Sequence, residues 1–421
     1  MTSRLALVAI LLLAPLAARG ENWPGWRGPR GDGSSEEKGI ATRWDGKSGE
    51  GILWKTSLPG YGHSSPVVWE NRVFVTACND KDESRSLICL DRDSGEVVWS
   101  KDVVKAPLEK KHSLNSYASG TPATDGKLIY VTFLQADFGS LKERTPGDLI
   151  VAAYDFAGNQ KWSVKPGRFA SVHGFCSSPI LFEDKVIVNA DHDGDSYIVA
   201  LDRANGSTIW KVNRPNKTRS YVTPIIREID GRTQMLFSGS KCVSSYDPHN
   251  GNLHWTMDGP TEQFVASLVY DGQLVYLTAG FPEYHILAVK PDGKGKVGQD
   301  QIVWRTTKGC SYVPSPIVVG KYFLVAADNG TGSCFEARTG ERYWQERMGK
   351  HYSASLVAAG GQVYFLADDG ITKVVRPGEG PQMEVVAENA LGEYCYASPA
   401  ISQGKLFIRG EKHLYCIGDK K

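Results

Sequence analysis

The chain has 421 residues, of which 41% are apolar and 23% charged, with a formal net charge of +1. That composition suits a globular protein with a sizeable core, and it removes any electrostatic basis for binding nucleic acid or an anionic membrane surface. The 45 glycines and 11 tryptophans point to many turns between many short strands.

The first stretch reads as a signal peptide over residues 1–20. Arg4 precedes an apolar run, Leu5–Leu16, and small residues follow at Ala17, Ala18 and Gly20. The run is short for a bilayer span. The first cysteine is Cys78, so no thiol lies near the junction to carry a lipid. The expectation is a periplasmic or secreted protein with no transmembrane segment once the signal is removed. Residues 21–50 read as an N-terminal extension and 51–421 as one repeat domain.

Repetition dominates the rest of the chain. Leu90-Asp91 leads through Gly95 to Trp99. The same unit returns as Leu201-Asp202, Gly206 and Trp210, and as Tyr246-Asp247, Gly251 and Trp255. Weaker copies end at Trp162 and, after Gly340, at Trp344; Trp304 closes a copy expanded by the loop 291–300. Trp54 stands where an orphan copy would end. Each unit predicts a hairpin in which the Asp accepts loop amides and the Gly supplies a positive φ. The Trp then starts an outer strand that packs between neighbours.

A hydroxyl residue and Pro, then an apolar strand, precede each unit: Ser65-Pro66, Thr121-Pro122, Ser178-Pro179, Thr223-Pro224, Ser315-Pro316 and Ser398-Pro399. Ser267-Leu268 and Ser355-Leu356 complete eight copies. The periodicity is that of strands, and the Trp spacing is that of propeller blades, roughly 40–45 residues each. The predicted fold is an all-β, single β-propeller of eight four-stranded blades. Residues 352 to about 387 form a degenerate blade, and the last blade is completed by Ile52–Lys55, which closes the ring. Seven blades is the alternative.

The Ala/Cys-Leu-Asp…Gly…Trp unit resembles the tryptophan-docking repeat of the pyrroloquinoline-quinone (PQQ)-like propellers. The segment Trp23-Pro24-Gly25-Trp26-Arg27-Gly28-Pro29 with Gly31-Asp32-Gly33 resembles the opening of bacterial members of that group. The resemblance implies one of two branches. One holds quinoprotein dehydrogenases, with PQQ and calcium as cofactors. The other holds scaffolds such as the propeller of the outer-membrane barrel-assembly machinery. The dehydrogenases carry adjacent cysteines over the cofactor, and this chain has none. The reading is therefore an exported, non-enzymatic, monomeric scaffold that binds protein partners in the cell envelope. The alternatives are a PQQ-dependent oxidoreductase acting on alcohols or sugars, and a polysaccharide-active enzyme, which would need two convergent carboxylates.

Two sets of candidate ligand residues stand out, and no catalytic set does. An aromatic or His precedes nearly every Pro step: His63, Tyr117, Phe175, Tyr221, Phe264, Tyr312, Tyr352 and Tyr396. Equivalent repeat positions form a ring, so these predict an aromatic mouth to the central channel, set against a packed hub. The basic residues Lys111, His112, Arg168, His173, Arg219 and His351 lie close in sequence and favour an anion there. Asp191, Asp193 and Asp195 alternate as calcium ligands can, set against a solvated hairpin tip. The eight cysteines show no metal spacing. They read as small buried hydrophobes, with Cys78–Cys89 and Cys395–Cys416 as the pairings to test.

Overall fold

The computed structural model describes residues 20–137 and 145–419; the predicted signal peptide lies almost wholly outside them. Among the described residues, eight blades of four antiparallel strands follow one another along the chain, two of them extended by a short fifth strand paired parallel, Ser34–Ser35 and Gly295–Val297. They span 67–105, 123–171, 180–213, 225–258, 269–306, 317–347, 357–390 and 400–417, and are called blades 1 to 8. The eighth takes its outer strand, Ile52–Ser57, from the other end of the chain, paired antiparallel with His413–Ile417. The ring is closed by this seam, as predicted. Apart from a 3-10 turn at Gln299–Gln301 the described residues hold no helix, so none is long and apolar enough to cross a membrane.

The repeat signature has a direct packing cause. In each hairpin the Trp faces a small residue across the sheet: Trp99 faces Cys89, Trp162 faces Ala153, and Trp210 faces Ala200. Trp344 faces Cys334 and Trp54 faces Cys416. Opposite residues of an antiparallel pair share one face, so a large indole demands a small partner. All eight cysteines are free thiols and seven are buried. The suggested Cys78–Cys89 and Cys395–Cys416 bridges are absent: Cys78 faces Arg85 and Cys89 faces Phe74, and Cys416 stands between Trp54 and Phe407.

The indole then docks on the next blade. Trp54 Nε1 donates to Arg92 O at 2.8 Å, Trp99 to Phe156 O at 2.9 Å and Trp162 to Arg203 O at 2.9 Å. Beneath the Trp54 ring lies Gly95 at φ +75°, where an added Cβ would sit 2.5 Å from the indole. Gly206, Gly251 and Gly340 lie under Trp162, Trp210 and Trp304 in the same way. The glycine therefore serves both the left-handed turn and the close approach of the ring. Asp91 holds the turn by accepting the amides of Asp93 and Ser94, each at 3.0 Å.

The orphan copy proves to be whole. Asp45 accepts the amides of Lys47 and Ser48, and Gly49 N donates to Asp45 O at 2.9 Å, which repeats the Asp91–Gly95 turn. Blade 7 is degenerate: Ala387 occupies the Trp position opposite Val374.

Inside the ring, the hydroxyls before the Pro steps staple the blades. Ser65 N donates to Thr121 Oγ1, Thr121 N to Ser178 Oγ, Ser267 N to Ser315 Oγ, Ser315 N to Ser355 Oγ and Ser355 N to Ser398 Oγ, at 2.9–3.0 Å. This explains the Ser or Thr at five of the eight positions, Thr121, Ser178, Ser315, Ser355 and Ser398, while the Ser267 hydroxyl accepts from Trp26 instead.

Residues 21–50 are built into the ring. Trp23 is fully buried and bridges to Val68, and Ser34–Ser35 adds a parallel strand to blade 7. Between them the Trp-Pro-Gly-Trp-Arg segment lies across the hub. Pro24 O accepts from Thr124 N, Trp26 Nε1 donates to Ser267 Oγ, Arg27 Nη2 to Pro316 O and Arg227 Nη2 to Arg30 O. Gly28, at φ +79°, lets Trp23 lie against the backbone. One end of the central channel is thereby stoppered.

Candidate functional site

The stopper leaves a blind cavity of about 380 Å³ in the channel. Trp26 borders it and also borders the cleft on the stopper side, so its indole forms the floor. Higher up stand the staple hydroxyls of Ser178, Ser355 and Ser398 with Thr223 beside them, then Tyr221, Tyr312, Tyr396 and four histidines.

Four of the eight predicted ring residues line this cavity: His63, Tyr221, Tyr312 and Tyr396. The other four turn into the blades. Phe175 packs edge-on against Phe169 at 5.1 Å, Phe264 is fully buried, and Tyr352 lies against Phe365 at 6.3 Å. Tyr117 packs on Tyr61, with Lys111 Nζ 5.2 Å from its ring. Of the six basic candidates, His112, His173 and His351 reach the cavity wall. Arg168 is engaged by Asp137 and Asp148, and Arg219 by Asp193 at 2.9 Å.

Several wall residues carried no sequence expectation. Leu114, Asn115 and Ser119 come from the loop after Lys105, part of the insertion behind the long Trp99–Trp162 gap. Asp328 follows the second strand of blade 6, and its carboxylate accepts Tyr312 N at 2.7 Å and Val313 N at 3.0 Å. Asp368 holds the matching place in blade 7. It accepts Ser353 N at 2.7 Å and meets His351 Nδ1 at 2.6 Å. The recurring Ala-Asp-x-Gly of 327–330 and 367–370 was the available signal.

The cavity is close to electrically neutral. Its described lining contains no Lys or Arg and one carboxylate, Asp328. Burial raises the Asp328 pKa. Burial, then the charges of Arg409 and Lys111, lowers His63 from 6.5 to about 3. His173 falls to about 4, through burial and then Arg219. Between about pH 3 and 6.5 the unfolded chain binds a proton at residue 63 that the folded chain refuses, so this contribution to stability is full above 6.5 and lost as pH falls. Urea midpoints measured from neutral pH downward should decline through this window. His63→Asn should flatten the decline, and an unchanged slope would refute the assignment.

The acidic run is arranged for pairing. Asp191 bonds Arg214, Asp193 bonds Arg219 and Asp195 bonds Lys217. Asp191, His192 and Asp193 are buried, so the segment is no solvated tip. Among the described residues no group of three or more His, Cys, Asp or Glu side chains is placed to hold a metal. PQQ, a tricarboxylate, does not fit the cavity: no described lining residue supplies a fixed cation, and Asp328 would oppose it.

A family model described as outer membrane protein assembly factor BamB matches residues 34–137, 83–280 and 283–380. A protein of that name from Alkalilimnicola ehrlichii is 26% identical over 222 residues, 51% of this chain and 48% of the relative. The chain thus spans about half the length of this curated relative. Among solved structures, BamB from Moraxella catarrhalis aligns with a TM-score of 0.60 and 12% identity, covering 87% of this chain and 99% of that one. A europium-containing methanol dehydrogenase aligns with a TM-score of 0.61 and 12% identity, covering 93% and 90%. The computationally designed Ika8 protein aligns with a TM-score of 0.58 and 13% identity, covering 87% and 99%. At such identities the structures bear on fold alone.

Proposed function

Because the chain belongs to the family of the outer membrane protein assembly factor BamB, we propose that it is an exported, monomeric, non-enzymatic scaffold that serves outer-membrane protein assembly from the periplasm. The observation that carries the reading is the family match, which runs through seven of the eight blades. The fold suits the task. A ring closed by the N-terminal strand Ile52–Ser57 presents loops on a rigid frame, and its partners would be proteins of the assembly machinery. The cavity's lack of fixed cations weighs against the PQQ-dependent oxidoreductase. The polysaccharide-active alternative finds Asp328 on the wall, with Asp368 behind His351.

The test is co-purification from solubilised outer membranes of the native host, with a tag on the C-terminus and crosslinking in the intact envelope. The barrel-assembly component should be recovered with the tagged chain, and loss of the chain should lower the level of outer-membrane barrels. A chain recovered free of that component, with barrel levels unchanged by its loss, would overturn the proposal.

A further inference from the structure

We propose that the central cavity is a carbohydrate site, which takes the terminal ring of an uncharged oligosaccharide with the rest of the sugar lying on the rim. This goes beyond the scaffold reading and does not depend on it.

Shape comes first. The cavity is blind, and its volume of about 380 Å³ lies in the range of small-molecule sites, roughly 300–1,000 Å³. Its floor is the Trp26 indole, and Tyr221, Tyr312 and Tyr396 stand around it. A pyranose presents C–H faces that stack on such rings and hydroxyls at its edge. The edge partners are present: Asp328, His351 held by Asp368, and Asn115.

Electrostatics narrow the class. With no Lys or Arg on the described wall, and Arg219 behind it already paired with Asp193, a phosphate or carboxylate would be desolvated with no cation in direct contact. An aromatic peptide side chain would match the rings but would bury Asp328 and His351 against carbon, leaving polar groups unpaired. A neutral polyol ring satisfies both kinds of wall.

The rim gives the third observation. Tyr394 is 56% exposed and Tyr284 47%. Tyr284 lines the cavity, and Tyr394 stacks on the lining residue Tyr396 at 6.3 Å and 7°. Phe281, 50% exposed, shares the loop of Tyr284, and Leu114 faces the same mouth. Exposed rings gathered at one mouth mark a contact surface, here one that continues the stacking platform outward.

The experiment is calorimetry with tryptophan fluorescence, using uncharged gluco-, manno- and N-acetylglucosamine oligosaccharides, with PQQ and a tyrosine-containing tripeptide as competitors. At least one sugar should bind saturably. Tyr312→Ala should weaken it by roughly tenfold or more, while Tyr343→Ala, on the outer strand of blade 6, should not. Tyr284→Ala, on the exposed rim, should fold normally and weaken longer sugars more than a disaccharide. That length dependence separates binding from damage to the fold. The proposal is overturned if no sugar saturates, if both cavity and rim variants bind as well as the parent, or if PQQ or the tripeptide binds more tightly than every sugar.

Discussion

Asp191→Ala should destabilise the protein by about 3–5 kcal/mol, among the largest effects of any single substitution, because it strands a buried guanidinium. Arg214 Nε meets Asp191 Oδ1 at 3.1 Å, and both side chains are fully buried. The rest of the Arg214 fork is committed to blade 4. Nη1 donates to Tyr246 OH at 2.7 Å and Nη2 to Gly239 O at 3.0 Å, and the guanidinium lies 4.5 Å from the Phe237 ring. Asp191 and Arg214 both follow strands of blade 3, so the pair bolts two blades together. The desolvation of two charges is already offset by these bonds; removing one partner removes the offset and leaves the penalty. The double variant Asp191→Ala with Arg214→Met should recover most of the loss, since neither charge is then buried. Urea midpoints of the two singles and the double form the thermodynamic cycle. A single variant costing under about 1 kcal/mol would mean that water reaches the site.

This pair also marks where sequence reasoning stops. Asp191, Asp193 and Asp195 look alike in sequence, and alternation suggested one ion among them. The cations that divide them, Arg214, Lys217 and Arg219, come from the loop after the outer strand of the same blade, and nothing in local spacing announces that meeting. The architecture was legible because its cause is local and repeated. A turn Asp, a glycine under an indole and a hydroxyl before the Pro step recur at each blade, so each copy corroborates the others. Ring position was half legible. Residues before the Pro step do gather at the hub. The three that stand three positions ahead of it, His63, Tyr221 and Tyr396, line the channel. Of those at four, Phe175, Phe264 and Tyr352 turn into the blade and Tyr312 lines the channel. His63 and Tyr396 meet at 4.6 Å over the cavity, while Phe264, at the same offset as the cavity residue Tyr312, is core, so offset alone does not announce the outcome. The Trp26 floor was not legible as part of the site. Its segment does not repeat, so no other copy shows where it goes.

Trp54→Ala should cost about 3–5 kcal/mol, as large aromatic deletions in a packed interior do, and should open the ring at its only chain break. The outer strand of blade 8 is tied to blade 1 through this residue. The indole donates to Arg92 O at 2.8 Å and covers Gly95, with Thr56 Oγ1 donating to Gly95 O at 2.7 Å beside it. Each of the other blades takes its four antiparallel strands from one stretch of chain; blade 8 alone is assembled from both ends, with Ile52–Ser57 held on His413–Ile417 by strand pairing while it runs on through 58–66 into blade 1. Limited proteolysis after the substitution should cut near residue 50 first, because the freed strand no longer shields the edge at His413–Ile417. Trp344 supplies the contrast. It is more deeply buried than Trp54, but blade 7 offers its Nε1 no partner. Trp344→Phe loses ring area but no made bond, and with it goes a buried donor that nothing accepts, so it should cost less than Trp54→Phe, which loses a made bond as well as ring area. Equal losses for the two Phe variants would mean that the docking bonds add nothing, and that ring area alone holds the blades together.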